Sequence, residues 1–130
     1  MSVVADRRRR MRFAISTILL VAVAYLIIRI TIAPGPGWVR FHATDFLAGF
    51  ALPSVIALGF HRFPGADLLD TLRGKLLLTV AAVVVWEGVV PLLNAHSTAD
   101  WRDVVAYLAG TVAQHLAQMA VLGGKRTVLA

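Results

Sequence analysis

Residues 7–33 read RRRRMRFAISTILLVAVAYLIIRITIA, and the fold is decided in this stretch. Arg7, Arg8, Arg9, Arg10 and Arg12 stand directly before an apolar run from Phe13 to Ala33. A helix rises about 1.5 Å per residue, so the run is long enough to cross a hydrocarbon core about 30 Å thick. Arg29 lies near its far end, where its long stem lets the charge reach the head groups. Pro34-Gly35-Pro36-Gly37 then stops the helix. A cleaved signal peptide is the competing reading, with Thr31-Ile32-Ala33 as the cleavage site. The apolar run exceeds the roughly 7–15 residues of such a segment, and the rest of the chain is equally apolar.

Working outward, three more runs follow. Thr44 to Phe60 is short and contains Pro53, which predicts a kink or a locally thinned bilayer. Lys75 to Leu93 is the third, and Asp103 to Leu122 the fourth, closed by Gly123-Gly124 as a helix stop. The expected fold is all-α: one domain over residues 1–130, a four-helix transmembrane bundle with spans at about 13–33, 44–60, 75–93 and 103–122, and a basic segment at 1–12. Composition agrees. The chain is 58% hydrophobic and 15% charged, against about a quarter charged for a soluble domain, and its mean hydropathy is +0.76.

The charge is informative by place. The net charge of +6 would suit a nucleic-acid binder, but the arginine run flanks a membrane helix, so no nucleic-acid partner is expected. With the amino terminus inside, ten basic residues fall on that side: the five arginines, Arg62, Arg73, Lys75, Lys125 and Arg126. Outside or near it are three, Arg29, Arg40 and Arg102. Positive charge is retained on the cytoplasmic side, so both termini are expected in the cytoplasm and the protein in the inner (plasma) membrane. The bilayer is then the first partner, with anionic lipid head groups at the basic amino terminus.

Ionisable groups at membrane depth are costly and need a partner or a purpose. His42 and Asp45 precede or open the second span, Glu87 lies in the third, and Asp100 and Asp103 lead into the fourth; Tyr107 shares a helix face with Asp103. His42, Asp45, Glu87, Asp100, Asp103 and Tyr107 form the candidate ligand site, centred on Glu87, with His96 in the loop nearby. The bland alternatives are clear. Asp45 and Asp103 suit helix first turns as caps, and His42 and His96 suit solvated loops. His115, between Gln114 and a turn ending at Gln118, reads as an interhelical hydrogen-bond residue. Trp38, Trp86 and Trp101 read as an aromatic belt. Ala106, Gly110, Ala113 and Ala117 form a small-residue packing seam. No cofactor is called for. A divalent metal remains an option, because imidazole with carboxylates suits zinc, manganese or iron, although no HExxH motif is present. The absence of cysteine removes disulfides and thiolate chemistry.

The segment WEGVVPLLNAHSTADWRDVVAYLAG, residues 86–110, resembles the VanZ-like family of small membrane proteins. Glu87, Asp100, Asp103 and Gly110 match its membrane glutamate, its Asp-x-x-Asp pair and the glycine seven residues on. The family's Asp before a His-Phe pair is here replaced by His42 followed by Asp45-Phe46. Val90, His96 and Tyr107 stand where Gln, Arg and Asn are common. The resemblance implies a four- or five-span envelope protein, linked in some members to low-level glycopeptide resistance, without an established molecular activity.

The expected function is that of a small polytopic membrane protein whose outward-facing Glu/Asp/His cluster binds a polar envelope ligand, such as a cell-wall or lipid head group, or a cation, or ties the helices together. The alternatives are a membrane enzyme on lipid-linked substrates with Glu87 as acid or base, and a proton-coupled transport component. No nucleophile motif favours an enzyme.

Overall fold

The computed structural model describes residues 3–31, 37–60, 69–89, 92 and 100–123, with residues 3–5, 38, 40 and 87 described by backbone alone. Four helices carry these residues: α1, Val3–Thr31; α2, Gly37–Phe60; α3, Leu72–Val83, prolonged by a π-helical segment Val84–Val89; and α4, Trp101–Leu122. No strand occurs among the described residues.

Three helix boundaries have a local cause. Thr71 caps α3 by accepting from the Gly74 amide at 3.0 Å, which satisfies one of the first-turn donors a helix leaves unpaired. Asp100 caps α4 through the Arg102 amide at 3.0 Å. Gly123 ends α4 at φ 77°, in the left-handed region that favours glycine. Its amide donates to the Met119 carbonyl at 3.1 Å. The Gly123 stop is the one expected from the sequence.

The third span differs from expectation. The α form begins at Leu72 and ends at Val83, twelve residues, or about 18 Å at 1.5 Å per residue. The wider π turn then takes over through Val84-Val85-Trp86. Consecutive β-branched valines crowd the preceding helical turn, which weakens the α form there. Among the described residues, three helices are long and apolar enough to cross a membrane: the segments Asp6–Thr31, Phe41–Phe60 and Trp101–Leu122. Helix α2 also starts earlier than expected, and it runs on through Pro53.

Side-chain contacts give the helix directions. His42 meets Asp103, and Ser54 meets Gln114, so α2 and α4 run parallel. Lys75 meets Gln118 and Thr79 meets Thr111, so α3 is antiparallel to α4. Arg9 donates to the Val121 carbonyl at 2.8 Å and to that of Leu122 at 3.4 Å, which places the start of α1 at the end of α4. The α2–α4 pair is the central contact, with α1 against α2 and α3 against α4.

The distribution of polarity is inverted relative to a water-soluble domain. Among the described residues, the buried hydrophobic side chains are Ala14 and Val83, whereas Thr17, Ser54, Lys75, Thr79, Thr111, Gln114 and His115 are buried. Leu19, Leu20, Ile30, Leu77, Trp86 and Leu116 are exposed. In water so much exposed apolar area would drive association. In hydrocarbon it is solvated, while polar groups gather between the helices as hydrogen-bonding glue.

Candidate functional site

The sequence-derived candidates separate once the helices are packed. Asp100 and Asp103 occupy the cap and third positions of α4. In a capping box the third-position side chain reaches back to the cap amide. Here Asp103 instead points across to α2, where its Oδ1 lies 2.8 Å from His42 Nδ1. Both side chains are partly buried, at 27% exposure for His42 and 21% for Asp103. Donor atoms of His42, Asp100 and Asp103 lie within 4.8 Å of one another. A cleft of about 400 Å³ opens beside them, lined by His42, Trp101, Arg102 and the α4 residues Val105, Ala106 and Ala109.

The other candidates are not part of this three-donor group among the described residues. Asp45 is half-buried one turn further along α2 and is outside the three-donor group. Tyr107 is half-buried, and its main chain takes part in the α2–α4 contact through its carbonyl, which accepts from Thr111 Oγ1 at 3.1 Å. Glu87 lies in the π segment; its side chain and the whole of His96 lie outside the described residues, as does the Trp38 side chain. Among the described residues, three of the six candidates, from α2 and α4, are brought to one point.

The α2–α4 junction explains why the trio can assemble. A Cβ on Gly49 would stand 2.1 Å from the Tyr107 carbonyl oxygen, and one on Gly110 would stand 2.1 Å from that of Phe46. The two glycines let the backbones touch, so side chains as short as aspartate and histidine can meet at the end of the pair. Gly110 was legible as part of a small-residue seam; Gly49 acquires its role only when α2 is laid on α4.

A second polar group was not anticipated. Lys75, counted from the sequence as a cytoplasmic flank residue, is 1% exposed. Its ammonium donates to Gln114 Oε1 at 2.6 Å and also to Gln118 Oε1. The Gln118 amide reaches Asp70 at 3.4 Å, and Asp70 pairs with Arg10, which also binds Asp6 at 3.1 Å. On the inner side, Gln114 donates to Ser54 at 3.2 Å. A continuous polar chain thus runs from Arg10 into the bundle and touches α1, α2, α3 and α4. The sequence signal was present in Gln114 and Gln118, at i and i+4 on α4, but nothing local shows that Lys75 turns inward to meet them. His115 is buried as well, yet its Nδ1 has no partner among the described residues, so the expected interhelical bonds are made by its glutamine neighbours.

Comparison with protein-family models, with curated proteins and with solved structures finds no match for this chain.

Proposed function

We propose that the chain is a non-enzymatic inner-membrane protein with both termini in the cytoplasm, and that its outward-facing His42–Asp100–Asp103 trio binds a divalent cation of the zinc type. The observation that carries this reading is the convergence of one imidazole and two carboxylates within 4.8 Å. A zinc-type ion sits about 2.0–2.2 Å from nitrogen and oxygen ligands, so the three donors need only small side-chain adjustments to surround one. A three-residue set leaves a coordination position open, and the adjacent cleft gives a polar envelope ligand access to it. The proposed orientation is supported by the bias of basic residues, nine to three once the inward-turned Lys75 is left out.

The kinship with VanZ-like proteins is likewise a proposal. It is supported by the sequence match at Glu87, Asp100, Asp103 and Gly110, of which Asp103 and Gly110 lie on the side of α4 turned to α2.

The test is calorimetric titration of zinc, manganese and calcium into the purified chain in detergent, with thermal unfolding in parallel. One ion per chain is expected, with zinc favoured. A ligand at a hundred times its Kd adds about 2.7 kcal/mol of stability, so a clear rise in Tm accompanies binding. Asp103→Asn and His42→Ala lose the binding while remaining folded. If no divalent ion binds and both variants lose folded yield, the trio is a helix tie and the cation reading fails.

A further inference from the structure

We propose that a groove at the other end of the bundle binds one anionic phospholipid, its phosphate on Arg12 and Arg9 and one acyl chain between α1, α2 and α4. The cavity there is about 380 Å³, roughly a dozen times the 30 Å³ share of a water molecule. Its walls are graded along α1. The lining starts with Arg9 and Arg12, continues through Phe13 to Ser16 and Thr17 and reaches Leu20, with Phe50 added by α2 and Val121 by α4 beside Arg9. Arg12 to Leu20 covers eight residues, or about 12 Å along the helix. A guanidinium, then hydroxyls, then hydrocarbon is the order of polarity that a phosphate, its glycerol ester and an acyl chain present.

The arginines are not equivalent. Arg10 is committed to Asp6 and Asp70. Arg9 is held in place by the Val121 and Leu122 carbonyls, which leaves some of its five N–H donors for an anion. Arg12 has no carboxylate within ion-pair distance among the described residues. A diffuse basic flank attracts anionic lipid without selecting a position. Here one arginine is oriented and another is open above an apolar groove, and that combination selects a headgroup with an attached chain.

The experiment is native mass spectrometry of the full chain released from vesicles of equimolar phosphatidylglycerol and phosphatidylcholine with matched acyl chains. The wild type is expected to retain one phosphatidylglycerol in preference. A basic residue near the surface contributes about 1 kcal/mol, so Arg12→Gln lowers the preference about five-fold. Arg8→Gln, outside the groove, leaves it unchanged, and Ala117→Trp, which fills the groove, abolishes retention of both lipids. If the tryptophan variant fails to fold, Ser16→Leu replaces it, with the same expectation for phosphatidylglycerol. Equal retention of the two lipids overturns the proposal. So does an Arg8→Gln effect as large as that of Arg12→Gln, or full displacement of the lipid by inorganic phosphate. The inference rests on the membrane reading and is independent of the cation site; a chain that stays soluble without detergent would fail the membrane reading itself, a result distinct from loss of lipid preference.

Discussion

Pro53 shows how one residue's defect is repaired by another helix. Proline has no amide hydrogen, so the carbonyl four residues earlier, at Gly49, loses its helical donor. In hydrocarbon no water can replace it. Thr111 Oγ1 lies 3.1 Å from the Gly49 oxygen and 2.7 Å from Thr79 Oγ1. When Thr79 donates to Thr111 rather than to the Lys75 carbonyl 2.9 Å away, the single Thr111 proton is shared between the Gly49 and Tyr107 carbonyls, both at 3.1 Å. Thr111→Val should therefore cost about 1–2 kcal/mol, measured by denaturant unfolding in mild detergent. In a Pro53→Ala background the helix supplies its own donor, and the same substitution should cost about 1 kcal/mol less. Additive effects would mean that Thr111 does not answer the proline. Lys75 gives a second residue-scale contrast. Removing one partner of a buried charge is worse than removing the charge itself. Gln114→Leu should thus cost roughly 2–3 kcal/mol, while Lys75→Met stays within about 1 kcal/mol of the wild type. Equal losses would show that the ammonium is a net stabilising centre.

At the scale of the element, the α2–α4 pair depends on two glycines placed reciprocally, one on each helix. Gly110→Ala puts a methyl where the Phe46 carbonyl oxygen stands 2.1 Å away, and backbone cannot yield as a flexible side chain can. The helices must separate, which lengthens both the Thr111–Gly49 and the His42–Asp103 contacts. Folded yield and cation binding should fall together. Gly59 lies on the same α2 helix with nothing within 4 Å of an added Cβ. Gly59→Ala should be neutral or stabilising by up to about 1 kcal/mol, the difference in helix propensity. A loss at Gly59 equal to that at Gly110 would remove the close-approach argument.

For the whole molecule, polar chemistry occupies the two ends and the space between the helices. The Asp6–Arg10–Asp70 ion pairs and the Arg9 contacts mark one end; the His42–Asp103 pair marks the other. Asp103 and Val121 are eighteen residues apart on α4, or about 27 Å, close to the thickness of a hydrocarbon core. The proposed orientation is tested without disturbing native thiols, since the chain has none. Ser97→Cys should react with a membrane-impermeant maleimide added outside intact cells, and Ser2→Cys only after permeabilisation. The reverse pattern would place the cation trio in the cytoplasm.

The helical, apolar character of the chain was legible in runs such as Phe13 to Ala33, whose length suits a spanning helix with every backbone bond made inside the segment. Where α4 ends and that Asp103 stands in its opening turn were also legible, since capping is a local matter of a few residues, whereas the structure starts the helix at Trp101 with Asp100 as its cap. The third helix, expected at 75–93, is helical through 72–89 among the described residues, and what periodicity did not reveal is the change to a wider turn in the valine run. It took the packed helices to show that Asp103 turns to His42, that Gly49 and Gly110 each sit against the other helix's backbone, and that Lys75 points into the bundle. These depend on the relative axial position and rotation of separate helices. An apolar run leaves both undetermined, because lipid solvates every face of it alike; the choice is made by the few polar groups and glycines that meet when the helices pack.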